Sequence, residues 1–372
     1  MEIGRASSIA MCKEGLTYDD VQLVPKFSGI ESRNNIKIET EIVNGFRIHH
    51  PLIPANMDTI SSIEMVKTTD KYGGVCFLHR FNNTTKLFED LHTLVKGDIR
   101  IIGVSLGVKE EDKHTANNVY NFLKRVGLEH RLIFLIDVAH GHHILVLEMI
   151  SHLKKQFPLI PIIAGNVVTI SGAYDLCRAG ADAIKCGVGP GSNCTTRINT
   201  GFGVPQFSAI SNVKTGIEIY CDESNIGYNE GPKIIADGGI KYIGDIVKAI
   251  GAGANTVMSG YLFAGTSDTP GSIISKGLFP NETHWKVYRG SASRDSKLDR
   301  GETRNIEGTS VEVPYRGETS RVFEESADGI KSGLSYGGYN KLMEAIGNMQ
   351  FCRVSSSSII EAGPTALYKY GR

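Results

Sequence analysis

Eight short runs along the chain are apolar continuously rather than at alternate positions: PLIPA from 51, GGVCFL from 73, IIGVSL from 101, LIFLID from 132, PIIAG from 161, DAIKC from 182, KIIAD from 233 and NTVMS from 255. A strand buried on both faces needs that character, and parallel sheets bury their strands on both faces. Between the runs lie segments with helical apolar spacing that close on glycine, such as SGAYDLCRAGA (171–181) and IGDIVKAIGAGA (243–254). Helices capped by a left-handed residue end in this way. Strand plus crossover helix, repeated eight times, predicts an α/β fold of the (β/α)8 barrel type, and 372 residues fit one such domain.

An open, doubly wound sheet shares the same alternation. The placement of the unusual residues decides for the barrel. Asn56-Met57-Asp58, His79-Arg80, Asp137 with His140, Gly165-Asn166, the loop from Gly187 to Arg197, Asp237-Gly238-Gly239 and Gly260 each follow the C-terminal end of one run. A barrel gathers those ends on one face, where barrel enzymes keep their active sites.

We read residues 1–372 as a single barrel domain with a leader over 1–15 and two departures from the repeat. Residues 211–230 lengthen one connection and read as an added hairpin or lid. Residues 288–317 are rich in charge, Gly and Ser and lack a long apolar period, which reads as a mobile flap over the barrel mouth.

The formal net charge is zero, with 22% charged residues, so the basic excess of a nucleic-acid binder is missing. Seven cysteines, an odd number without a C-x-x-C pair, point to free thiols in a reducing compartment. The start MEIGRASSIAMCKEG lacks the apolar core of a signal peptide, and no apolar run nears the roughly 18 residues of a membrane span. The cytoplasm is the expected compartment.

The loop KCGVGPGSNCTTR (185–197) sets a cysteine beside a glycine-rich turn whose free backbone groups can hold an ion. A free cysteine is ordinarily a small buried hydrophobe. The Gly, Ser, Asn and Thr flanks of Cys194 are no core composition, and nearby positive potential would make it a thiolate nucleophile. Ser192 with Gly238, Gly239 and Gly260 reads as a divided phosphate cradle, and Asp237 as an acceptor for ribose hydroxyls or as a helix N-cap. Together they suggest a nucleoside monophosphate. Asp137 reads either as a contact for a second ribose or a nicotinamide amide, or as a structural ion pair. With no G-x-G-x-x-G after a strand and no Walker A sequence, a dinucleotide would bind at the barrel mouth itself. His140, His142 and His143 in DVAHGHH lack the further ligands a zinc site needs.

Eight motifs carry a resemblance. LTYDDVQLVP near the start, ANMDT at 55, DVAHGH at 137, AGNV at 164, GVGPGSNCTTR at 187, GVPQFSAI at 203, IADGGIKYIGDIVKAIGAGA at 235 and EGTSVEVPYRG at 307 are similar to the IMP dehydrogenase and GMP reductase family from about residue 16 to about 352. The resemblance implies a (β/α)8 barrel, a homotetramer, a covalent thioimidate between the loop cysteine and purine C2, and a potassium ion held by the carbonyls of Gly189, Gly191 and Cys194. Only about twenty residues separate FLHRFNN from IRIIGVSL, leaving no room for the CBS modules that IMP dehydrogenases usually insert there. The flap has no Arg-Tyr pair of the kind those enzymes use to activate water, and RNIEGTSVEVPYRG is similar to the reductase pattern.

The resemblance therefore implies NADPH-dependent reductive deamination of GMP to IMP and ammonia, with Cys194, Thr196 and Glu307 as catalytic residues. By position, Ser192, Asp237, Gly238, Gly239, Gly260, Tyr261, Tyr288, Gly290, Arg304 and Gly308 would hold the nucleotide. Arg80, Asp137, Val138, Ala139 and Gly189 would contact NADPH, with Ser332 and Ser335 of a neighbouring subunit. The alternatives are a CBS-less, NAD-dependent IMP dehydrogenase with Arg294, Arg300 or Arg304 as base, and a silent nucleotide-binding barrel. The chain departs from the family pattern at Arg80, usually Lys, at Ser291-Ala292, and at the bulky Tyr261 after Gly260.

Overall fold

The computed structural model describes residues 14–363 except 279, 302 and 305, so the leader assigned to 1–15 falls mostly outside the described residues. All eight apolar runs form strands of one parallel sheet: β1 (Leu52–Pro54), β2 (Phe77–Leu78), β3 (Ile102–Leu106), β4 (Leu132–Asp137), β5 (Ile162–Val167), β6 (Ala183–Cys186), β7 (Lys233–Asp237) and β8 (Thr256–Ser259). The hydrogen-bonded order is sequential from β2 to β8, and β8 pairs in turn with β1. Among the described residues, eight longer helices follow the strands: α1 (Ile63–Lys71), α2 (Thr84–Lys96), α3 (Glu110–Arg125), α4 (Ile144–Gln156), α5 (Ile170–Ala179), α6 (Gln206–Ser224), α7 (Ile243–Ala252) and α8 (Thr319–Gly337). Helix α8 packs on α7 and α1 and completes the ring, giving the expected (β/α)8 barrel.

Continuous apolarity divides into two cores because successive side chains point to opposite faces. Ile53, Phe77, Ile133, Leu135, Ile163, Ala183, Ile235 and Met258 fill the barrel interior, while Leu52, Leu78, Val104, Phe134, Ile136, Ile162 and Ile184 pack outward under the helices. Each fully buried Leu, Ile or Phe contributes about 1.5–3 kcal/mol. A hairpin of Thr40–Val43 and Phe46–Ile48 joins the interior core through Ile42, Val43 and Ile48. Thr40 Oγ1 donates to the carbonyl of Asn255, just before β8, so the hairpin covers the N-terminal ends of the strands. The C-terminal face is left for function.

The two expected departures take different forms. Residues 211–230 are not a hairpin or lid: they are the greater part of α6 and a short 3-10 turn, Tyr228–Glu230. Val213, Ile217 and Cys221 recur every fourth residue and are buried, which is helical spacing, and Asn225 in left-handed conformation ends the helix. The flap is likewise not irregular throughout. Strand Thr283–Arg289 runs into its start and pairs antiparallel with Ile274–Lys276 and with Ser310–Pro314 near its end, with a short helix, Arg294–Leu298, between. In THWKVYR the buried positions are alternate ones, Lys286 and Tyr288, a period too short to register as a long apolar run. The excursion between β8 and α8 is clipped at its neck, where the amide of Ser267 donates to the carbonyl of Gly317 and that of Thr319 to Ser267 Oγ.

Candidate active site

The cysteine loop leaves β6 through Gly187 and Gly189, both with positive φ (146° and 82°). A Cβ at Gly189 would lie 2.5 Å from Arg197 Cγ. The Arg197 side chain threads beneath the loop, donating from Nη2 to the Val204 carbonyl at 2.7 Å and from Nε to the Val188 carbonyl at 3.3 Å. That strut presents Cys194, half-buried, to the barrel mouth. Its Sγ–H donates to Thr196 Oγ1 at 3.2 Å, and Thr196 Oγ1–H donates to Glu307 Oε2 at 2.7 Å.

Glu307 comes from the flap, and backbone pairing brings it there. The amide of Thr195 donates to the Glu307 carbonyl at 3.1 Å, and that of Thr309 to the Asn193 carbonyl at 2.9 Å. The Glu307 amide is held in turn by the Ala292 carbonyl at 2.9 Å. A second anchor ties flap to barrel: Asp58 Oδ2, after β1, accepts from Arg289 Nε (3.2 Å) and Nη2 (3.0 Å) and from Ser296 Oγ (2.8 Å).

Beneath the cysteine loop, Lys185 points into the barrel, only 3% exposed. Its Nζ lies 2.8 Å from Asp137 Oδ1 and 2.6 Å from Asp237 Oδ2. Asn56 Nδ2 donates to Asp137 and to Ser105 Oγ, and Asn166 Nδ2 to Asp237 and to the Gly187 carbonyl. Burial by itself would push Asp137 up, but the charge and hydrogen bond of Lys185, the charge of Arg80 and the Asn56 bond outweigh it and hold the carboxyl below its usual range. Lys185 shows the converse: burial disfavours its charge, and the two carboxylates more than compensate, raising its pKa. The ammonium and the Asp137 carboxylate therefore stay ionised through the neutral range.

These groups line one cavity of about 710 Å³. It contains the three expected catalytic residues, Cys194, Thr196 and Glu307, and the loop residues Gly189, Gly191 and Ser192. Asp237, Gly238, Gly239, Gly260, Tyr261, Tyr288 and Gly290 line it, as do Arg80, Asp137, Val138 and Ala139. Ser192 Oγ is 2.9 Å from Tyr288 OH, and burial raises the phenol so that it remains protonated. Gly260 makes room for that ring, since a Cβ there would sit 2.7 Å from the hydroxyl. Gly238 and Gly239 both take positive φ (87° and 80°), which an L side chain rarely adopts.

Four expected residues lie outside the lining. Arg304 is exposed on the flap, its carbonyl accepting from Lys297. Gly308 pairs with Cys194 and Ser293 behind the site, and Ser332 and Ser335 sit on α8. Of the histidines, His142 pairs with Asp175 at 2.8 Å. Of the carbonyls expected to hold potassium, that of Gly191 accepts from the Cys194 amide, and among the described residues those of Gly189 and Cys194 take no backbone hydrogen bond. Neutral oxygens without a carboxylate suit a hard monovalent cation, so the loop fits that group.

Lys185 and Arg289 are additions that sequence reasoning did not single out, while Asn56, Asp58 and Asn166 were marked at strand ends without a role. Lys185 had a signal: it stands two residues after Ala183 in DAIKC, on the inward face of a strand buried on both sides.

Fold and site together define a (β/α)8-barrel protein with a half-buried cysteine at its C-terminal face, beside a flap that brings a carboxylate to the threonine that neighbours the thiol. A family model described as IMP dehydrogenase / GMP reductase domain matches residues 15–365. The chain belongs to the IMP dehydrogenase/GMP reductase family and is an oxidoreductase of that family. It is 32% identical to an inosine-5'-monophosphate dehydrogenase of Borreliella burgdorferi over 95% of this chain and 97% of that protein. It is 36% identical to a GMP reductase of Clostridium acetobutylicum and 35% identical to one of Bacillus subtilis, each over 91% of this chain and 96% of that protein.

Proposed function

We propose that this chain is a GMP reductase, converting GMP to IMP and ammonia with NADPH. One observation carries the reading: the Glu307 carboxylate stands 2.7 Å from Thr196 Oγ1, which stands 3.2 Å from the Cys194 thiol. A thiol, a hydroxyl and a carboxylate in sequence can move a proton between the attacked carbon's leaving group and the flap. In this reading the Cys194 sulfur bonds to purine C2, the C2–N bond breaks, and Thr196 and Glu307 supply the proton with which the amine leaves as ammonia. NADPH, when bound, supplies the hydride that C2 requires; the S–C2 bond then breaks, returning the thiolate and releasing IMP. Asp237 takes the ribose hydroxyls, while Ser192, Tyr288 and the glycine turns at 238, 239 and 260 surround the phosphate. Arg80, Asp137, Val138 and Ala139 hold the cofactor on the opposite wall, with Ser332 and Ser335 from a neighbouring copy in a homotetramer. The carbonyls of Gly189, Gly191 and Cys194 hold potassium and stiffen the loop.

A dehydrogenase reading, IMP to XMP with NAD, draws support from Arg300. Of the three flap arginines considered, it alone lines the cavity, its guanidinium 4.1 Å from the Phe81 ring centre. Absorbance at 340 nm separates the two. A fall with GMP and NADPH, with IMP and ammonia as products, is the expected result; a rise with IMP and NAD, and none of the former, would overturn the reductase.

A further inference from the structure

The floor of the cavity carries an arrangement that covalent chemistry at Cys194 leaves unused. Two carboxylates from strands on opposite sides of β6 share one buried ammonium. Asp137 ends β4, Asp237 ends β7, and Lys185 lies between them, 2.8 Å from one and 2.6 Å from the other. The register explains the meeting. Asp137 pairs with Gly165, and Gly165 with Lys185, so the intervening strand contributes no side chain. A Cβ at Gly165 would come within 2.4 Å of the Lys185 carbonyl and 2.6 Å of its Cβ. Lys185 could leave this pocket only by stranding two acids, and each acid is steadied on its far side by an asparagine amide, Asn56 or Asn166.

We infer that Lys185 is a positioning residue that joins the nucleotide and cofactor subsites into one electrostatic unit, by holding Asp137 and Asp237 in fixed geometry around a shared charge. The inference rests on the reading that Asp237 meets the nucleotide ribose and Asp137 the cofactor. A ligand that donates hydrogen bonds to one carboxylate draws charge from it and leaves the ammonium more fully committed to the other. Nucleotide and cofactor therefore sense each other through a side chain that touches neither reacting atom. The other groups facing the triad are Arg80, whose positive charge acts on Asp137, and Tyr18, Cys186 and Tyr288, which feel Asp237. Burial pushes the latter three upward, so they remain neutral and do not titrate in the working range.

The test combines calorimetric titration of GMP with steady-state kinetics at 340 nm across pH, for wild type, Lys185→Met, Lys185→Gln and Lys185→Arg. Lys185→Met should raise both the GMP dissociation constant and the cofactor KM about tenfold or more. It should also give the cofactor KM an acid limb in the mildly acidic range, because burial without the lysine drives Asp137 upward and protonates it as pH falls. Wild type should be flat there. Lys185→Arg, which can bridge two carboxylates, should restore the flat profile. Should Lys185→Met fail to fold, Lys185→Gln keeps hydrogen-bond donors without charge and should show the same acid limb. Asp137→Asn supplies an independent arm: with the lysine charge no longer divided, Asp237 becomes a poorer acceptor and GMP binding weakens threefold or more without cofactor present. A folded Lys185→Met or Lys185→Gln with unchanged constants and a flat profile, or an Asp137→Asn variant with unchanged GMP affinity, overturns the coupling. Failure of the reading that Asp237 meets the nucleotide and Asp137 the cofactor looks different: wild type itself would neither bind GMP nor turn over either nucleotide, and the inference would fall with it.

Discussion

At the residue scale, the cysteine loop announced itself because Gly, Ser, Asn and Thr around Cys194 contradict the core environment a free cysteine usually occupies. Lys185 did not, since a single lysine inside an apolar run is absorbed by the strand pattern, and only register shows which acids it meets. Arg304 illustrates the opposite limit. Its position along the flap suggested a ligand contact, but position along an excursion does not say which way a side chain faces. The short Thr196–Glu307 bond makes a direct prediction: Glu307→Gln should lower kcat by about a hundredfold or more while changing GMP affinity by only a few-fold, because the amide keeps the shape and loses the proton relay. Stopped-flow kinetics beside GMP titration reads both. A variant with normal kcat would remove Glu307 from the chemistry.

At the element scale, long patterns were legible and short ones were not. Helix α6 carries its apolar residues at helical spacing across the stretch that looked like an insertion, and only its unusual length, Gln206 to Ser224, disguised it. The flap strands failed to register for another reason, since the buried positions of Thr283–Arg289 are Lys286 and Tyr288 rather than aliphatic residues, and Ser310–Pro314 is mostly exposed. That sheet is held to the barrel through Asp58, whose Oδ2 takes three hydrogen bonds from Arg289 and Ser296. Asp58→Asn should leave the barrel folded and loosen this one contact. Nicking within 288–317 by a dilute protease should quicken about tenfold, with little change in hydrogen-exchange protection of β3 to β7. Equal loss of protection throughout would mean that Asp58 supports the barrel rather than the flap.

At the scale of the whole molecule, eight apolar runs sufficed for the barrel because seven of the strand ends also carried a chemically unusual residue, and a single convergent face explains them all. The closure of the ring was less visible, since α8 lies far along the chain from β8. One contact there has a measurable signature. His50, just before β1, is buried; Nε2 donates to the Phe323 carbonyl on α8 at 3.0 Å while Nδ1 accepts from the Leu52 amide at 3.2 Å. Both nitrogens are thus committed in the neutral ring, and burial lowers its pKa to about 4. The unfolded chain takes up this proton near pH 6.5, well before the folded one does. Stability should therefore decline as pH falls from about 6.5 to about 4, by up to ~3 kcal/mol from this residue, and no further below that. Urea midpoints measured across this range for wild type and His50→Gln should show a shallower acid slope in the variant; parallel slopes would assign the decline to other groups.

The clipped neck between Ser267 and Gly317 separates two evolutionary problems. With its ends already fastened together, the excursion adds a closure entropy that grows only slowly with what lies between them, about 0.6 kcal/mol for each doubling of length. The barrel's foldability is thereby insulated from the excursion's content. Natural variation can rewrite the flap as an exchangeable cassette while the barrel and the cysteine loop stay as they are. Relatives that share most of this scaffold and differ in reaction outcome are what such a division of labour would leave behind.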